Sequence, residues 1–253
     1  MAPPTLDGVL GGFGVLDDPD VAFSLKFLKD LRGDWNGAVV ADVAAGIGRV
    51  TKHLLLPLNV ARVDVLEQSS HLLAAAPAYV DENNNANMKE YDDDDPAKDE
   101  ESTTPRRQRC RYVCVSMQAW RPKAREYDLI WIQWCVGHLT DSDFLDFLNV
   151  CRRALKKTGL LVIKDNSLHA GTYEKHLAPK DDGFYVDDDD RSVCRSFDYY
   201  RALFDVAQAA VLAEAPQPVD DGSLFAFPPD IYPVFTWALY WPQDHTEKNS
   251  THT

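Results

Sequence analysis

The sequence predicts an α/β fold in which a mostly parallel sheet carries helices on both faces. Short apolar runs of strand length alternate with stretches of helical period, a tight AAGIG turn joins the first run to the first helix, and two strand-like runs close the chain. Repeated strand, helix and strand units build a parallel sheet with a ligand crevice at its carboxyl edge. The two closing runs suit an antiparallel hairpin on one side of it.

In chain order, Ala38 to Val43 (AVVADV) reads as a buried strand, and Arg49 to Leu56 as the helix after the turn, stopped near Pro57. Arg62 to Leu66 is the second strand and Ser69 to Ala76 the second helix. Asp81 to Pro105 has almost no apolar residue and no period, so burial cannot offset the entropy of ordering it, and it reads as a flexible surface insertion. Tyr112 to Val115 is the third strand and Asp128 to Gln133 the fourth. Thr140 is placed to cap a helix running to about Lys156, with Phe144, Leu145, Phe147, Leu148, Cys151 and Leu155 on one face. Gly159 then opens Leu160 to Lys164, the fifth strand. A helix at Phe197 to Ala209 and strands at Val211 to Glu214 and Tyr232 to Tyr240 complete the set.

Composition narrows the function classes. With 253 residues, 45% hydrophobic and 11% aromatic, the chain can bury one large core. No run reaches the roughly 18 apolar residues of a membrane span, and MAPPTLDG lacks the basic and apolar regions of a secretory leader. The expectation is a protein of the cytoplasm without a membrane partner. The five cysteines are odd in number and show no framework spacing, which suits a reducing compartment. Cys110 and Cys114 have no matching second pair, so they read as small core residues and no metal is expected. The net charge of −14 repels nucleic-acid backbones and favours basic partners. Ten acidic residues against two lysines between Asp81 and Glu101 give a local −8, and Arg106, Arg107, Arg109 and Arg111 follow as the expected partial neutralisation.

The turn Asp42 to Arg49 leaves a strand and enters a helix, with glycines where a ligand would approach the backbone. A dinucleotide turn needs a third glycine, yet Thr51 follows Gly46 and Gly48. Glu67 ends the second strand and can accept two ribose hydroxyls at once, whether from NAD or from S-adenosylmethionine.

At PPTLDGVLGGFG (3–14), AGIGRVTKHLLLPL (45–58), YDLIWIQWCVGHLTD (127–141), VIKDN (162–166), DDDDRSVCR (187–195) and DIYPVF (230–235) the chain resembles the protein α-N-terminal methyltransferases. These segments follow the family's order over most of the chain, and IWIQW-x-x-GHLTD and VIKDN are specific to it. The resemblance implies a Rossmann-like class I methyltransferase fold of seven strands, one domain over residues 1–253, with insertions at 81–105 and near 168–185. It implies methyl transfer from S-adenosyl-L-methionine, leaving S-adenosyl-L-homocysteine, to the α-amine of proteins that begin X-Pro-Lys or X-Pro-Arg. Ribosomal proteins are among the substrates it suggests, for a monomer in the cytoplasm and nucleus. Ala44 replaces the family's first loop glycine, which a negative φ would tolerate. The family's aromatic-bearing helix ahead of PPT-x-DG has no counterpart between Met1 and Pro3.

By the same resemblance Gly46, Gly48, Arg49, Glu67, Met117, Gln118 and Gln133 hold the cofactor. Arg49 pairs with the methionine carboxylate, and Met117 and Gln118 flank the adenine. His138 and Asp190 position and deprotonate the amine, which has an ordinary pKa of about 8, and Asn166 offers it an oxygen. Asp187 faces the basic third residue, Ser192 adjoins the acidic run as a further substrate-binding residue, Asp188 and Asp189 face solvent, Trp134 walls the second-position proline, and Tyr232 lines the peptide channel. Leu10, Gly11, Gly12 and Leu16 belong to a glycine-rich loop expected to pair with an extended peptide. A small-molecule N-methyltransferase would not need the acidic channel. A non-catalytic binder of basic N-termini would bind peptide without cofactor, and the missing glycine and closing hairpin weigh against an NAD dehydrogenase.

Overall fold

The computed structural model describes residues 2–86, 109–168, 183–188, 190–229 and 231–242. Along the chain run α1 (Leu6–Val9), α2 (Asp17–Leu31), β1 (Val39–Val43), β2 (Arg62–Glu67), α3 (Ser70–Ala86), β3 (Cys110–Cys114) and β4 (Tyr127–Gln133). They are followed by α4 (Asp141–Ala154), β5 (Leu155–Leu168), β6 (Phe184–Val186), β7 (Val193–Ser196), α5 (Phe197–Val206), β8 (Ala210–Pro216) and β9 (Val234–Tyr240).

Strands β3, β2, β1, β4 and β5 lie side by side in that order and all parallel. β9 runs antiparallel to β5, and β8 antiparallel to β9, so the expected closing hairpin is present. The sheet has nine strands rather than seven, because the antiparallel pair β6 and β7 joins the far end of β5 through Ser167 and Leu168. β5 is correspondingly long, at 14 residues where five were expected. The chain places a site turn, residues 187–192, between the strands of that extra hairpin.

Alternation along the central strands divides the core into two layers. Ile130, Ile132, Leu161 and Ile163 face α4 and α5 with Phe144, Phe147, Tyr200, Phe204 and Trp237. Leu129, Trp131, Leu160 and Val162 face the other way, onto Leu28, Trp35, Leu54 and Leu55. At about 25 cal/mol per Å2 of buried apolar surface, these layers hold the strand ends in place.

Thr140 caps α4 as expected, accepting the Asp143 N–H at 3.1 Å. The helix after the cofactor turn becomes π-helical over Thr51–Leu55 and 3-10 over Leu56–Leu58, with Pro57 in that last turn and Asn59 left-handed beyond it. α3 continues through Pro77 to Ala86, so the first residues of the expected acidic insertion are helical. The rest of that insertion and most of the one near 168–185 lie outside the described residues, as do Arg106 and Arg107. Arg111 binds buried Asp64 instead of the acidic run, and Cys114 is exposed instead of core.

Candidate active site

The carboxyl edge of β1, β2 and β4 opens onto a cavity of about 330 Å3. Its floor is the turn Asp42 to Gly46, its sides carry Glu67, Gln133 and Met117, and Ala2, Val9 and Leu10 of the amino-terminal segment lie on it. Gly46 has φ 59 and gives its N–H to Glu67 Oε2 at 2.9 Å, while Glu67 Oε1 accepts from the Ser69 N–H at 2.7 Å. Each carboxylate oxygen keeps a second lone pair, so Glu67 remains able to accept a diol. Ala44 is left-handed, at φ 57, contrary to the negative φ expected. Gly48, at φ 82, faces Val80 of α3 rather than the cavity: an added Cβ would come within 2.9 Å of Val80 Cγ2. Its glycine serves helix packing. Met117 reaches the cavity, but Gln118 lines an outer groove with Arg121 and Asp143.

Arg49 and Gln133 reach the cavity through a buried charge cluster that the sequence reading lacked. Arg49 Nη1 binds Asp17 Oδ1 and Asp20 Oδ2, both at 2.8 Å, and Gln133 Nε2 donates to Asp20 at 2.9 Å. Lys164 Nζ binds Asp20 Oδ1 at 2.5 Å. Burial alone would raise the Asp20 pKa, but the charges of Lys164 and Arg49 hold it below the usual carboxylate range. Its two carboxylates, Asp17 and Asp20, come from α2. Asp42, 2% exposed, accepts the Thr51 N–H and hydroxyl, and burial pushes its carboxyl up to about 6.

A second, smaller cleft adjoins the cavity. Trp134 and His138 line both spaces, and Asp165, Asn166, Asp190 and Ser192 line the cleft alone. Trp134 sits at φ 53 just beyond β4, its ring 6.4 Å from Phe227 and the Arg49 guanidinium 5.3 Å from its centroid. His138 Nε2 lies 4.0 Å from Asp190 Oδ2, both side chains about half exposed. Burial works to raise the Asp190 pKa, yet the Ser192 N–H and hydroxyl, with His138, hold it below the ordinary range. Asp187 accepts the Tyr232 hydroxyl at 3.2 Å, and burial followed by the Asp187 charge pushes that phenol up to about 12. Asp188 is exposed as expected and Asp189 lies outside the described residues.

The glycine-rich loop differs from expectation. Gly11 donates to Gly8 O, Gly12 to Asp7 O, and Gly14 to Asp7 Oδ1, so these amides are engaged within the loop and do not offer an edge to an extended peptide. Gly11 and Gly12 make its left-handed corner. Leu10 and Leu16 are buried, Leu10 on the cofactor cavity and Leu16 against Phe227 and Val234.

A parallel sheet closed by an antiparallel β8–β9 pair, with a carboxylate at the end of β2 facing a glycine turn after β1, defines a class I S-adenosylmethionine-dependent methyltransferase. Comparison with known proteins sharpens the class. A family model described as AdoMet dependent proline di-methyltransferase matches residues 1–240, and the chain belongs to that family. N-terminal Xaa-Pro-Lys N-methyltransferase 1 of Rattus norvegicus is 36% identical over 241 residues, 94% of this chain and 89% of that protein. Its Homo sapiens counterpart is 35% identical over the same shares. The solved structure of a SAM-dependent methyltransferase from Leishmania major matches with a TM-score of 0.72 at 30% identity, covering 94% of this chain and 78% of that one. The glycopeptide N-methyltransferase MtfA, at 17% identity and TM-score 0.60 over 90% of this chain and 98% of its own, shares the fold.

Proposed function

We propose that this chain methylates the α-amino group of proteins beginning X-Pro-Lys or X-Pro-Arg. The observation that carries the reading is that the cofactor cavity and the acidic cleft share Trp134 and His138 as a common wall. S-adenosylmethionine supplies an electrophilic methyl group. The cavity fits it in size and in donors: Gly46, Met117 and Gln133 line the cavity, Glu67 keeps lone pairs for the ribose, and Arg49, held by Asp17 and Asp20, would meet the carboxylate. Gly48 supports the turn from behind.

An α-ammonium attracted into the cleft meets Asp190, Asn166 and His138. Asp190, held low, stays a carboxylate and orients the cation, and His138 accepts its proton before attack. The neutral amine is then aligned for in-line displacement by Asn166 and the Trp134 wall, against which the proline packs. Asp187, aimed by Tyr232, neutralises the third-position Lys or Arg, and Ser192 fixes the turn that carries Asp190. Leu10 walls the cofactor cavity and Leu16 packs in the cluster that supports Trp134, with Gly11 and Gly12 turning the chain between them. The function suits a single-domain monomer acting in the cytoplasm and nucleus, with ribosomal proteins of this N-terminal type as first substrates.

Mass spectrometry of a Ser-Pro-Lys peptide incubated with the chain and the methyl donor tests the proposal. Methyl mass on the free α-amine, absent from an α-acetylated control, is the expected result. Methylation of a lysine side chain or of neither peptide would count against it. Asp190→Asn is expected to lower turnover at least about 100-fold while leaving cofactor binding intact.

A further inference from the structure

One buried carboxylate in the cleft has no role in this scheme. Asp165, inside the long strand β5, is 4% exposed and lines the cleft beside Asn166. Its Oδ2 accepts the N–H groups of Cys135 and Val136, each at 3.0 Å, and Oδ1 accepts that of Asn166 at 2.8 Å. The first two amides open the 3-10 turn Val136–His138, directly after left-handed Trp134. A carboxylate at the start of a turn holds it as a helix cap does, and here it comes from the neighbouring strand. The left-handed conformation is unfavourable for a residue with a Cβ, so the turn is kept by contacts outside itself. Trp134 N–H to Lys164 O, at 2.9 Å, is another, and Arg195 donates to Val136 O at 3.3 Å and to Leu139 O at 2.7 Å.

We propose that Asp165 is a positioning residue for methyl transfer, clamping the turn from Trp134 to His138 so that ring and imidazole meet at the junction of the two cavities. The inference rests on the methyltransferase reading of the same site. The titratable groups facing Asp165 are His138 and Cys135 from the turn, Cys194 from β7 and Tyr200 from α5, with Asp190 on the same cleft. Burial raises the Asp165 carboxyl to about 6. Protonation below that pH removes the charge that the two amides point at, and the clamp loosens.

The test compares the full-length wild type with Asp165→Asn, measuring calorimetric binding of S-adenosylhomocysteine and peptide kinetics from about pH 5 to 9. The variant is expected to bind the cofactor product as the wild type does and to lose kcat on the order of 100-fold. Below about pH 6 the wild-type rate should fall more steeply than that of the variant, by one further proton. Equal slopes, or an unchanged kcat, would overturn the proposal. Asp165→Glu keeps the charge but displaces it; lost kcat with a retained steep limb is expected, and full kcat is not. If neither variant folds by circular dichroism, the wild-type profile decides: one without the second break near pH 6 overturns the clamp. A wild type that methylates no peptide would instead remove the function itself.

Discussion

Ala44 stands left-handed, at φ 57, on the wall of the cofactor cavity. A Cβ there costs about 1–2 kcal/mol, and Ala44→Gly should relieve it less the greater freedom gained by the unfolded chain. The expected result is a variant about 0.5–1 kcal/mol more stable in urea melts, with cofactor affinity no weaker; a less stable variant would contradict the geometry. Asp42 gives the pH dependence. Its folded pKa of about 6 lies above the ordinary carboxyl value of 3.8, so its stabilising contribution is present below about pH 4 and lost as pH rises through 6. Asp42→Asn should therefore raise stability by about 1–3 kcal/mol at pH 7.5 and little at pH 4. Thermal melts of the apoprotein at the two pH values measure the difference, and an equal gain at both would refute the burial argument.

α2 links the amino-terminal segment to the cofactor floor, and it was not legible in the sequence. Its buried face mixes Asp17, Asp20 and Ser24 with Phe23, Phe27 and Leu28, so charge interrupts the apolar stripe by which a helix is recognised. The spacing of those positions was the available signal, together with three aspartates in the first turn. β6 and β7 were missed for another reason: at three and four residues they are too short to show a period, and pairing with the extended end of β5 holds them. The strands β1, β2 and β4 were readable because both faces are largely buried and their short apolar runs are interrupted only by single charged residues such as Asp42 and Asp64. Asp20 carries the prediction at this scale. Asp20→Asn leaves Arg49 and Lys164 buried with one carboxylate fewer, and should cost about 3 kcal/mol in urea unfolding and weaken cofactor binding through Arg49 and Gln133. Unchanged stability would mean that the cluster is not held by its charge.

Across the molecule, the motifs at the strand ends placed Glu67, Gln133, Trp134, His138 and Asn166 on adjoining walls, since a parallel sheet collects its carboxyl ends along one edge. The same topology brings Asp190 and Ser192 alongside, through a hairpin attached to β5. Motif spacing could not reveal which glycine meets the cavity. Gly46 does, whereas Gly48 is needed where α3 crosses behind the turn, and that crossing depends on Val80, more than 30 residues away. Gly48→Ala should accordingly cost about 2–4 kcal/mol from strain and contact together, read in urea melts.

A crystal structure of the chain with S-adenosylhomocysteine and a Ser-Pro-Lys peptide measures the shared wall directly. The peptide nitrogen is expected between Trp134 and His138, facing the sulfur, with the lysine turned toward Asp187. A peptide bound elsewhere, or a nitrogen separated from the sulfur by the Trp134 ring, would contradict the account.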